Sequence, residues 1–166
     1  MYLFIITFGL CFSYFFLHYF LPIFFEKEIE KINKKAYIYI SIVAILSLLI
    51  YVIVLNIPNI ELGNRLLHSI GGGFMAFLVC FLVVRDGQLK VSKLQFFVFS
   101  VLFVTAMGVT NEIAEFVMHN YMGLVMATSI NDTWLDLISN LGGTLVAGLL
   151  FVPFINTKNQ IDQASL

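Results

Sequence analysis

The chain has 166 residues, of which 60% are hydrophobic and 11% charged, with a formal net charge of −1 and a mean hydropathy of +0.96. A soluble globule of this size could not cover so much apolar surface, so composition sets the class as an integral membrane protein, all-α and polytopic. The near-neutral charge argues against a nucleic-acid partner, and the cysteines, Cys11 and Cys80, lie in different apolar segments without the spacing of a zinc or redox motif.

About 20 apolar residues cross a bilayer at about 1.5 Å rise per residue. Five segments meet that length, at about 2–25, 36–57, 64–84, 94–118 and 132–154, and together they read as one domain over 1–166. The first has no basic leader and no small-residue cleavage site, so it is expected to be a retained helix. Lys27 to Lys35 ends the first segment, Pro58 the second and Arg85-Asp86-Gly87 the third, while Pro153 closes the fifth.

Basic residues set the expected orientation. Lys27, Lys31, Lys34, Lys35, Arg85, Lys90, Lys93 and Lys158 fall on one side, and only Arg65 falls on the other. The N-terminus is therefore expected outside and the C-terminus in the cytoplasm of a cell membrane. Tyr37, Tyr39 and Trp134 fall near the expected interfaces, where amphipathic rings are favoured.

This topology brings three polar clusters to one depth, near the outer face. Arg65 and His68 start the third segment, Glu112, Glu115 and His119 end the fourth, and Asp132, Asp136 and Asn140 start the fifth. Glu112 lies about 10 Å inside the expected helix end. At about 100° per residue, Thr105, Gly108, Glu112, Glu115 and His119 share one helical face. Asp132, Asp136, Ser139, Asn140, Gly143 and Ala147 share another, as do Arg65, His68, Gly72 and Ala76. Small residues let membrane helices approach closely, so the last three segments are expected to form the core with the first two packed around them.

Carboxylates at this depth are costly and point to function. Glu112, Glu115, Asp136 and His68 are the candidate catalytic residues, and the same four with Asp132 are the candidate metal ligands. The spacing Glu-x-x-Glu-x-x-x-His resembles carboxylate–histidine metal sites on facing helices. The plainer alternative is that the acids pair with Arg65 or cap backbone groups. Asp132 fits an N-cap as well as a site role, and Asn131 would cap equally well. Asp136, one turn further in, cannot be the cap. His119 and His18 read as interfacial. Asn140 suits hydrogen bonding between helices, and Gly71-Gly72-Gly73 lacks the lysine and spacing of a phosphate loop, which leaves close packing as its reason.

Four carboxylates against one arginine cannot all stay ionised in a low-dielectric setting without compensation. Either some are protonated or a divalent cation is bound. Oxygen ligands with one imidazole suit magnesium, calcium or manganese, and suit zinc or iron less well.

The run D-T-W-L-D-L-I-S-N-L-G-G, Asp132 to Gly143, resembles the closing motif of the VanZ-like and YjdF-like bacterial membrane proteins. Their Asp-x-x-x-Asn-x-x-Gly pattern falls here on Asp136, Asn140 and Gly143, with Asp132-Thr133 ahead of it. Asn111-Glu112 and Glu115 look like their acidic helix, and His68 with Gly72-Gly73-Phe74 like their His-x-x-x-Gly-Gly-Phe helix. The resemblance spans about 64 to 150. Ile130-Asn131 stands where the YjdF-like pattern often has glutamine-glycine. VanZ-like proteins are linked to glycopeptide-antibiotic resistance without a settled reaction, so the resemblance implies fold and site rather than activity.

Two functions are open on these residues. One is a metal-assisted enzyme or binder acting on an outer-leaflet lipid or a lipid-linked envelope molecule. The other is a non-catalytic membrane protein, an ion-linked carrier or an assembly partner, whose acids form a structural polar network. The apolar inner halves of the last three segments count against a carrier.

Overall fold

The computed structural model describes residues 2–24, 34–124 and 129–155. Lys27, Lys31 and Lys158, used above for orientation, lie outside them. The described residues are all-helical, in order α1 (Tyr2–Phe24), α2 (Lys34–Leu55), α3 (Ile60–Leu66), a π-helix (Leu67–Phe74), α4 (Met75–Asp86), α5 (Lys93–Met122), α6 (Ile130–Phe151) and a terminal 3₁₀ turn (Val152–Phe154). α3, the π-helix and α4 run on as one span, giving five membrane-length helices.

The span ends depart from the expected ones by a few residues, because polar caps rather than apolar runs set them. The third span starts at Ile60 instead of 64, where the Asn59 side chain accepts from the Leu62 amide at 3.0 Å. The fourth continues to Met122 instead of 118 and stops at Gly123, whose φ of 69° lies in the left-handed region that favours glycine. This extension places Glu112 about 15 Å from the helix end, deeper than the sequence suggests. The fifth is capped by Ser129, which accepts from the Asp132 amide at 3.2 Å. Asp132 is therefore not the cap; it sits in the first turn and is free to make tertiary contacts.

The third span is the centre of the bundle. Nine of the 12 residues of α4 are buried, and Phe77, Val79 and Cys80 are fully so. One face of α1, carrying Tyr14, Leu17 and Leu21, is fully buried as well, so the first span belongs to the core and is not merely packed around it. Its opposite face is a ladder of Phe8, Phe12, Phe16, Phe20 and Phe24, all exposed to the lipid side. α2 is peripheral: only Ala36, Val43 and Ser47 are buried.

The π-helix and α6 touch backbone to backbone. A Cβ on Gly143 would overlap the Ser69 carbonyl, and one on Gly73 would overlap the Asn140 carbonyl. The triple glycine therefore does serve close packing at Gly73, and at Gly72 it makes room for the Asn140 amide. Wide i→i+5 turns are rare and occur often at functional sites, and here the π-helix carries His68.

Candidate functional site

The polar residues gather where α3, the π-helix, α5 and α6 meet. On α5 the buried positions are Phe96, Ser100, Val104, Gly108, Glu112 and Glu115, one side of a helix. Val104 rather than Thr105 continues that face. His119 is exposed, in keeping with an interfacial histidine and away from the cluster. On α6 the inward face is Asp136, Asn140, Gly143, Thr144, Ala147 and Gly148, while Ser139 is only half-buried and donates to the Leu135 carbonyl.

The cluster has two parts. In the first, the Arg65 guanidinium bridges the carboxylates of Asp132 and Asp136 and also donates to the Asp132 carbonyl at 3.2 Å. Asn64, one residue earlier, donates to Asp136 Oδ1 at 3.1 Å. Arginine suits this place because its planar fork can serve two acceptors at once. In the second part, ligating atoms of His68, Glu112 and Glu115 all lie within 4.8 Å of one another, and all three residues are buried. Asn111 donates to Glu115 Oε1 at 2.7 Å. Glu112 Oε1 and His68 Nε2 are buried without a hydrogen-bond partner.

His68 joins the two parts. Its Nε2 lies 3.4 Å from Asp136 Oδ1 and its Nδ1 lies 3.5 Å from Asn140 Nδ2. With the amide set this way round, the neutral ring carries its proton on Nε2. Turning the amide over brings the Asn140 oxygen to Nδ1–H and leaves Nε2 free to bind a cation. All five candidate metal ligands thus fall in one patch, with Asp132 and Asp136 engaged by Arg65, and His68, Glu112 and Glu115 facing each other.

A cavity of about 220 Å³ opens beside the second part, with His68, Asn111 and Asn140 at its polar end and Gly9, Leu10, Val104 and Met107 among its apolar walls.

Asn64 escaped the sequence reading, and Asn111 entered it only within the acidic-helix motif, not as a site residue. Their signal is positional: each neighbours a charged residue of the cluster, and a buried carboxylate needs donors. A second polar group also escaped it. His18, expected at an interface, is 4% exposed, and its Nδ1 lies 3.8 Å from Asp86 Oδ2, which accepts from Tyr14 at 3.0 Å. This group lies at the opposite end of the bundle and ties α1 to the end of α4.

Helices of this length and apolarity, closed around a buried polar cluster, define a multi-pass integral membrane protein. A family model described as "Predicted membrane protein (DUF2238)" matches residues 11–157, and the chain belongs to that family. No curated protein and no solved structure matches it.

Proposed function

We propose that His68, Glu112 and Glu115 hold a divalent cation at one face of the membrane, and that the cation engages the phosphate of a lipid or lipid-linked envelope molecule. The observation that carries this reading is the juxtaposition of three buried ligating side chains, two of them with an atom that lacks a hydrogen-bond partner. Three atoms at the outer limit of 4.8 Å from one another lie about 2.8 Å from a common centre, so calcium, at about 2.3–2.6 Å, needs a small inward movement of the side chains. Magnesium or zinc, at about 2.1 Å, would draw them further inward. Three protein ligands leave coordination positions for water and a phosphate oxygen, as in metal-assisted hydrolysis. Asp136 and Asp132, held by Arg65, then act as the wall of the site rather than as ligands.

The orientation that the basic residues imply would put this site on the outer face. The described ones, Lys34, Lys35, Arg85, Lys90 and Lys93, lie at the end of the bundle opposite Arg65. Membership of the VanZ-like or YjdF-like groups is the finer reading that the motifs around Asp136, Asn140 and Gly143 favour.

The Arg65 bridge favours a second reading, in which the cluster is a structural network and the protein is non-catalytic. Elemental analysis of gently purified protein separates the two. The metal reading expects a bound divalent ion in the wild type, its loss in Glu112→Gln and Glu115→Gln, and its retention in Asp132→Asn. A metal-free wild type whose melting temperature ignores added magnesium, calcium, manganese and zinc would leave the structural network standing.

A further inference from the structure

The cavity beside the cluster has the shape of a slot. Its lining on α5 runs from Val104 to Ala114, about 15 Å along the helix. Its depth comes from side chains that are missing. A Cβ on Gly9 would meet nothing within 4 Å, and one on Gly71 only the end of Leu67 at 3.5 Å. Thr110 and Ala114 at its rim are exposed, whereas Gly71, Val104, Gly108 and Asn140 are buried. The slot thus opens sideways between α1 and α5. One turn below Gly9, Ser13 reaches Met107 at 4.0 Å and narrows the gap.

Both ends of the slot bear on what fills it. The apolar end lies within the membrane spans, where the surrounding medium is hydrocarbon, and the whole cavity, at about 220 Å³, exceeds the apolar cavity of about 150 Å³ known to admit a benzene ring. The other end is polar: Asn140, 5% exposed, and His68, 6% exposed, both line it, and His68 Nε2 lies 3.4 Å from Asp136 Oδ1. Asn111, on the same wall, is already tied to Glu115.

We propose that this slot seats the hydrocarbon chain of a phosphate-bearing membrane lipid, which enters sideways between α1 and α5 with its polar end at His68, Asn111 and Asn140. The chain seat stands on the cavity alone; the head-group contact rests on the cation reading above, and it names the substrate class of that site. A lipid delivered this way brings its phosphate to the cation from within the membrane, without leaving the bilayer.

The test uses the full-length protein in nanodiscs containing phosphatidylglycerol with a diazirine on its acyl chain. After illumination, label is expected on the peptides around Gly9–Leu10 and Met107–Ala114. Gly9→Leu, which places a side chain in open space, should fill the slot and remove most of that label at unchanged melting temperature. Gly71→Val should do the same, and Gly9→Leu alone decides if Gly71→Val does not fold. Label spread evenly over the lipid-facing side of α2, at Ile45, Leu49 and Ile53, and unchanged by Gly9→Leu, would overturn the proposal. Glu112→Gln should keep the chain label. Focused labelling of a wild type that binds no metal would sink the cation reading and leave the chain seat in place.

Discussion

Gly143 of α6 rests against the Ser69 carbonyl of the π-helix, with no room between them for a methyl group. Gly142, the next residue, would meet nothing within 4 Å if it carried one. Overpacking a tight contact costs about 1–3 kcal/mol. Gly143→Ala should therefore lower the thermal stability of the protein in detergent by that order, while Gly142→Ala should not. Equal melting temperatures for the two variants would show that the helices can separate without loss.

Arg65 bridges the carboxylates of Asp132 and Asp136, and Asp136 is 2% exposed. Removing one member of a buried ion pair costs on the order of 3–5 kcal/mol, because the other charge is left without compensation. Arg65→Ala should thus destabilise strongly. Adding Asp136→Asn to it should restore part of the loss. A double variant as unstable as the sum of the two single ones would show that the residues do not act as a pair.

The five spans were legible because their lengths and apolarity are properties of composition. The convergence of His68, Glu112, Glu115 and Asp136 was legible too, because helical angles and alternating span direction place them together. Three things were not. The span ends depend on Asn59, Ser129 and Gly123, single residues whose capping geometry has no periodic signal. The π-helix differs from an α-helix in hydrogen bonding rather than in apolar pattern, and only Gly71-Gly72-Gly73 hints at it. The split between an Arg65-bound pair of aspartates and a His68-centred group depends on rotamers, which sequence spacing does not set.

On the metal reading, Asn140, whose amide lies 3.5 Å from His68 Nδ1, positions that histidine rather than touching the ion. Outer partners of a ligating histidine typically change metal affinity by about 10–100-fold when removed. Asn140→Ala should weaken binding of the ion found by elemental analysis by that order, read by calorimetric titration, with Asn140→Asp restoring much of it. Unchanged affinity in Asn140→Ala would show that His68 is oriented by other groups or does not ligate.

Tyr14 donates to Asp86 at 3.0 Å at the far end of the bundle. Hydrogen bonds to charged groups contribute about 1.5–3 kcal/mol. Tyr14→Phe should lower thermal stability by that order and leave metal content and lipid labelling unchanged. Loss of either would mean that the two ends of the bundle communicate.

Orientation can be read by labelling. A cysteine at Gln88, among the basic residues, should be shielded from an impermeant thiol reagent in intact cells, and one at Met122 should react, once Cys11 and Cys80 are replaced by serine. The reverse pattern would move the site to the cytoplasmic face.

The contrast between α2 and α4 has a consequence for how freely each can drift. Ile38, Ile42, Ile45, Leu49 and Ile53 of α2 are exposed, whereas Phe77, Val79 and Val83 of α4 are enclosed. The outer face of one helix meets lipid, and the other helix is packed in protein. Lipid is a solvent without shape, so any apolar residue will satisfy it, and the outer face of α2 has only its length and apolarity to keep. Protein is a solvent with fixed neighbours, so α4 has each side chain to keep. Replacing the exposed face of α2 with leucine should leave the bundle intact, while the same treatment of α4 should not.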